Sequence, residues 1–171
     1  MESSLKNPDK TIAAFIHIST FSKYFLPFGN FIFPLVLWTA KQQDPFVDHH
    51  GKQALNFQIS IFLYFIFLVC LGIAGIIFIG VKLDSLDNLI FHNHFHELFQ
   101  LTQAVPLLIF IGIIGLLLLG LFILEIVAVI TATVKASNGE AYNYPFTINF
   151  ITPTSVENHQ SKNEQFNNTQ I

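Results

Sequence analysis

The chain of 171 residues contains no arginine. Its eight cations are all lysines, so it has no guanidinium fork for bidentate recognition of phosphate. A single cysteine, Cys70, lies inside an apolar run, which excludes an intrachain disulfide and a cysteine-ligated zinc site. Charged residues make up only 11%, against about a quarter in a soluble domain, too few to clothe a surface in water. A net charge of -3 and a pI near 6.1 leave no basic patch for nucleic acid. There is no glycine loop to cradle phosphate and no serine–histidine–acid set in a helix or elbow context. No enzymatic activity and no cofactor are therefore expected. The N-terminal MESSLKNPDK is polar and is followed by no small-residue cleavage site, unlike a signal peptide.

Apolar side chains dominate instead. Hydrophobic residues reach 52% and the mean hydropathy is +0.55. The charges fall outside three long apolar stretches, which is the pattern of a chain solvated by a lipid bilayer. The length predicts one domain: a polar arm over 1–10, a membrane helical domain over 11–151 and a disordered polar tail over 152–171.

The first apolar stretch, Ile12 to Ala40, would be about 44 Å long as one helix, more than a hydrocarbon core of about 30 Å requires. Pro27, Gly29, Asn30 and Pro34 interrupt it. Pro27 lacks a backbone donor and Gly-Asn tolerates positive φ, so LPFGN reads as a break between two short helices, about 12–26 and 30–41. Asp9 or Thr11 can cap the first, and Asp44-Pro45 can start the next long helix. That helix carries Asp48, His49, His50, Lys52, Asn56 and Gln58 before its apolar part, Leu55 to Val81. Asn56, Ser60, Cys70 and Ala74 fall within one narrow stripe, the expected helix–helix face. The segment 84–104 reads as a polar, partly amphipathic connection. Pro106 opens the last span, whose Ala128, Ala132 and Ala136 form a small-residue ridge on the same face as Glu125. Asn138-Gly139 is a helix stop, and YPFTINFI alternates as an extended strip along the membrane interface. The architecture expected is an all-α bundle of two short N-terminal helices in a broken hairpin plus two long spans. The alternative is three spans with a kinked first helix.

Lysine placement separates the two. With a hairpin, Lys6, Lys10, Lys41, Lys52 and Lys135 share one side, opposite Lys82 and at most Lys23. With a single first span the sides balance. The positive-inside rule favours the hairpin, with both termini cytoplasmic in a bacterial plasma membrane. Trp38 beside Lys41 fits an interface anchor.

Few side chains can carry chemistry. Glu125 inside the last span must be protonated, paired or wet. His17 and Lys23 are its candidate partners, and a register-fixing pair is favoured over a proton or cation site. Asn56 and Gln58 leave the central helix on opposite faces, so helix–helix hydrogen bonding is their expected role. His92, His94 and His96 would align on a strand and suit a metal, but a polar loop is the favoured reading. Glycines 72, 75, 80, 112, 115 and 120 are spaced for helix contact.

Four motifs in order, AAFIHIS at 13–19, PFGN to PLVLW at 27–38, FVDHHGKQALNFQ at 46–58 and VKASNGEAYNYPFTI at 134–148, resemble a bacterial integral-membrane family of unknown function. That family is distantly grouped with the central membrane subunit of the chloroplast inner-envelope protein-import translocon. The resemblance covers roughly residues 10–151. Its pattern positions here are His17, Pro34, Trp38, His50, Gly51, Lys52, Ala54, Asn56, Phe57, Gln58, Gly139, Glu140, Tyr144 and Pro145, and it implies a catalytic role for none of them. Glu125 and the histidine run at 92–96 lie outside it. The function expected is a non-enzymatic scaffold or assembly subunit, linked to translocation by the resemblance only. It would bind a protein partner or itself through small-residue helix faces. The alternatives are a small-solute or proton transporter using the broken helix and Glu125, and a metal-binding protein using His92, His94 and His96.

Overall fold

A computed structural model describes residues 9–90 and 96–152, with side chains over 9–82 and 105–152. The first eight residues, His92, His94 and the tail beyond 152 lie outside the described residues.

The chain is all-α, with no strand among the described residues. Helix α1 spans Lys10–Ile18 and continues as a 3-10 helix over Ser19–Tyr24. Helix α2 spans Gly29–Lys41, α3 spans Pro45–Ile90 and α4 spans His96–Asn138. The chain divides into two compact units. One holds residues up to Ser60 together with those from Glu125 onward; the other is Ile61–Leu124.

In the first unit, α1 and α2 form the hairpin expected from the LPFGN interruption, so the single kinked span is not what forms. Asp9 caps α1 by accepting from the Ile12 amide at 3.2 Å. The turn closes with the Phe25 and Leu26 amides donating to the Ser22 carbonyl. Pro27 sits where no donor is needed. Phe28 takes the left-handed conformation at φ 62° and starts α2. Gly29 packs against Ser22 so closely that a Cβ would lie 2.6 Å from its Oγ. Pro34 stays inside α2 and is buried; it does not break the helix. At the hairpin base the Asp9 amide donates to Asp44, and Asp44 also accepts from the Phe46 amide to open α3.

Helix α4 ends where the asparagine–glycine pair predicts. Gly139 at φ 84° lets the Gly139 and Glu140 amides reach the carbonyls of Ala136 and Lys135, the 5→2 and 6→1 bonds that close a helix C-terminus. Beyond it, residues 140–152 form an irregular strap without regular secondary structure. The strap does not lie free along an interface: it is bonded to the first four turns of α3.

In the second unit, α3 and α4 run on through what reads as a polar connection. Helix α3 extends to Ile90, α4 begins at His96, and Pro106 lies inside α4 rather than opening it. The face of α3 toward α4 is also not the predicted one. Cys70 and Ala74 are exposed, while Gly72 is buried. A Cβ at Gly75 would meet Phe110 at 2.1 Å, and one at Gly72 would meet Ile114 at 3.3 Å. Of the six glycines expected at helix contacts, Gly72 and Gly75 have a neighbour; at Gly80, Gly112, Gly115 and Gly120 nothing among the described residues lies within 4 Å of a Cβ.

Candidate functional site

Among the described residues, the buried polar side chains gather in the first unit, because the opening turns of α3 carry a polar face where a spanning helix would be apolar. His50, Gln53, Asn56, Gln58 and Ser60 are all buried. Each needs a partner, since an unmet polar group away from water costs about 1–3 kcal/mol. The hairpin and the strap supply them.

His17 of α1 stands at the centre. Its Nε2 lies 2.7 Å from His50 Nδ1, and its Nδ1 lies 2.8 Å from the Tyr144 hydroxyl. One assignment satisfies the row: Tyr144 O–H donates to His17 Nδ1, and His17 Nε2–H donates to His50 Nδ1. The His50 Nε2 proton then sits beside the Glu140 backbone without a formed hydrogen bond. Burial, with the charges of Tyr142 and Glu125 added, pushes Tyr144 well above the usual phenol range, so its hydroxyl keeps the proton that the row requires. Phe57 stacks on the Tyr144 ring at 4.1 Å between centroids, and Phe46 meets His50 edge-on. Apolar surfaces thus close the row on its sides.

The rest of the polar face grips the strap. Gln53 donates to Asn143 Oδ1 at 2.9 Å and accepts from the Tyr144 amide at 3.4 Å. Asn56 donates to the Ile151 carbonyl at 2.7 Å and accepts from the Ile151 amide at 2.9 Å. Ser60 accepts from the Ile148 amide at 2.9 Å while donating to the Asn56 carbonyl. Asn56 thus serves the strap, not the helix–helix hydrogen bond expected of it. Gln58, on the other face, accepts from Asn30 of α2 at 2.9 Å.

Glu125 is 2% exposed and is ion-paired with Lys23. Of its two candidate partners, His17 is thus ruled out by its own pairing with His50 and Tyr144. Ala128, Ala132 and Ala136 continue the buried face of α4, and Ala136 packs against Ala13 and Phe46. Near the hairpin base, Trp38 donates to Asp48 at 2.9 Å, and Asp48 also pairs with Lys52 at 2.7 Å. Gly51 lies so close to Trp38 that a Cβ there would be 2.4 Å from its ring, and Trp38 packs against the cluster of Ile16, Val47 and Ala54. Lys135 pairs with Glu140 at 2.8 Å. Pro145 follows Tyr144 in the strap. His96 begins α4, outside the described side chains, and no cluster of three metal-ligating side chains occurs among the described residues.

Sequence reasoning missed two things here: the histidine–tyrosine row and the strap it fastens. The signal was present as polar residues on one face, Gln53, Asn56 and Ser60, where a spanning helix has no use for them.

The chemistry open to this arrangement is limited. His17 and His50 are fully buried and Tyr144 nearly so; both His17 nitrogens, His50 Nδ1 and the Tyr144 hydroxyl are spent on one another, and His50 Nε2 is closed off from the surface. The geometry is that of a lock between helices and strap. Two helices, Pro45–Lys82 and Val105–Asn138, are long and apolar enough to cross a bilayer, and the side chains they present beyond the lock, such as Phe67, Phe78, Leu108 and Leu116, are exposed and apolar. The class is thus a helical, multi-pass membrane protein with an internal polar lock. A family model, MamF_MmsF, described as the magnetosome magnetite crystal formation protein family, matches residues 8–151, and the chain belongs to that family. The match agrees with the bacterial membrane-protein side of the resemblance and gives no link to the import translocon. No curated protein and no solved structure matches the chain significantly.

Proposed function

We propose that the chain is a non-enzymatic scaffold or assembly subunit of a bacterial membrane. By its family, that membrane is one at which magnetite crystals form. The observation that carries this reading is the fate of the buried polar residues. Among the described residues, each of the groups most suited to chemistry, His17, His50, Tyr144, Lys23 and Glu125, is engaged with another group of the same chain, and the atoms left without a bond, His50 Nε2 and Glu125 Oε1, are buried inside the fold. Residues that bind a substrate keep polar atoms open to it; these hold a fold together. Both termini lie on the cytoplasmic side in this proposal, with the lysines of the hairpin base and of Lys52 and Lys135.

The rival reading, a proton or solute transporter, draws on Glu125. A carboxylate that must cycle between charged and neutral forms would not be well served by a standing lysine partner. Two measurements separate them. Stable partners, or a defined self-assembly, should accompany the protein from gently solubilised membranes; recovery of the chain alone as a monomer would contradict the reading. A proteoliposome flux of protons or cations that Glu125→Gln abolishes would overturn the scaffold reading.

A further inference from the structure

We infer that the hairpin Lys10–Lys41 inserts into one leaflet only: it enters and leaves the bilayer on the same face, its aromatic tip stops near the midplane, and acyl chains of that leaflet cover its flanks.

The lengths come first. Helix α2 has 13 residues, about 20 Å at 1.5 Å per residue. The other arm, nine residues of α1 and six of 3-10 helix, is about 25 Å long. Neither arm crosses a hydrocarbon core of about 30 Å. The register against α4 agrees. Lys10 donates to the Asn138 carbonyl at the base of the hairpin, and Lys23 pairs with Glu125 near its tip. Between those points the hairpin runs beside about 20 Å of α4. With its charged base in the interfacial region, an arm of about 20–25 Å ends about halfway through a bilayer of about 40–45 Å.

The exposed surface then names the occupant. At the tip Phe25 is 93% exposed and Phe28 64%. On the flanks Phe15, Phe33 and Val36 are exposed. The most exposed charge is at the base, where Lys41 faces Asp9; Lys23 near the tip is turned onto the buried Glu125. This is an apolar body with a charged collar, the division a single leaflet imposes. In water such a tip would cost several kcal/mol of apolar exposure. The consequence is mechanical. Two helices, each about 10 Å across, add area to one leaflet and none to the other, so the insert favours membrane that is convex on its own side.

The test uses the full chain with Cys70→Ala and Phe25→Cys, spin-labelled at position 25 in phosphatidylcholine–phosphatidylglycerol vesicles, and a control label at Gln43→Cys. The label at 25 should collide freely with oxygen and show no collision with a water-soluble nickel chelate, while that at 43 meets the chelate. In giant vesicles with the lysine-rich face outward, the protein should be enriched in narrow membrane tubes over the vesicle body, and Phe25→Asp should lose that enrichment with its helical circular dichroism unchanged. Access of the chelate to position 25 would overturn the inference. So would strong spin–spin broadening there, which would mean that a second copy covers the tip. Equal density of the unmodified chain in tube and vesicle would overturn its mechanical part, whatever becomes of Phe25→Asp.

Discussion

Asn56 and Ile151, 95 residues apart, bond to each other in both directions: the side-chain amide donates to the Ile151 carbonyl and its oxygen accepts the Ile151 amide. A helix residue thereby treats a distant backbone as a sheet strand would, and the chain after α4 is returned to α3 and fixed there.

Replacing Asn56 with leucine removes both bonds and leaves two backbone groups to find new partners. The expected loss is about 1–3 kcal/mol of stability, concentrated in the strap. Hydrogen exchange at the Ile151 and Ile148 amides should accelerate, and protease should cut within 146–151 before the helices unfold. Equal protection of those amides in both proteins would show that the bonds hold nothing.

Replacing His17 with leucine should weaken the fold through the row. The Tyr144 hydroxyl and His50 Nδ1 lose their partner, and each buried polar group left unmet costs about 1–3 kcal/mol. Thermal unfolding in detergent measures the loss, and His17→Gln, which keeps a donor and an acceptor, should recover part of it. An unchanged melt for His17→Leu would contradict the row.

The Lys23–Glu125 pair should behave as a coupled unit. Lys23→Leu alone leaves a buried carboxylate unpaired and should cost about 3 kcal/mol or more. Lys23→Leu with Glu125→Leu removes both charges and should recover much of that loss. A double-mutant cycle in thermal unfolding gives the coupling; simple additivity would contradict the pairing.

Glycines in the two units should respond oppositely to alanine. At Gly51 a Cβ meets the Cβ and ring of Trp38, at 2.7 and 2.4 Å. That part of the indole cannot swing away, so Gly51→Ala should cost about 1–3 kcal/mol. At Gly120 nothing among the described residues lies within 4 Å, and the gain in helix propensity, up to about 1 kcal/mol, should appear as a small rise in stability. Parallel thermal melts decide both.

Much of the fold is legible in local chemistry. The Pro27–Asn30 turn, the Asp9 and Asp44 caps and the Gly139 stop all depend on residues within a few positions of each other. The buried alanine ridge with Glu125 follows from helical periodicity alone. What escaped is nonlocal. A polar face on α3 shows that something polar must meet it, but the spacing of Asn56 and Ser60 cannot tell a facing helix from a returning strap. The stripe predicted through Cys70 and Ala74 failed for a related reason. It assumes that α3 keeps one face inward for its whole length, whereas below Ser60 the face toward α4 is set by where Phe110 and Ile114 fit, over Gly75 and Gly72. His17 looked like a lone polar residue near Glu125 because its partners, His50 and Tyr144, are 33 and 127 residues away.

The central claim is that the proline–glycine interruption turns the chain back, so that the start of α1 and the strap after α4 share one face of the membrane. Single cysteines at positions 9 and 152 in a Cys70→Ala background, challenged with an impermeant thiol reagent in sealed vesicles of known orientation, test it directly. Both positions should label from the cytoplasmic face alone; labelling of the two from opposite faces would contradict the account.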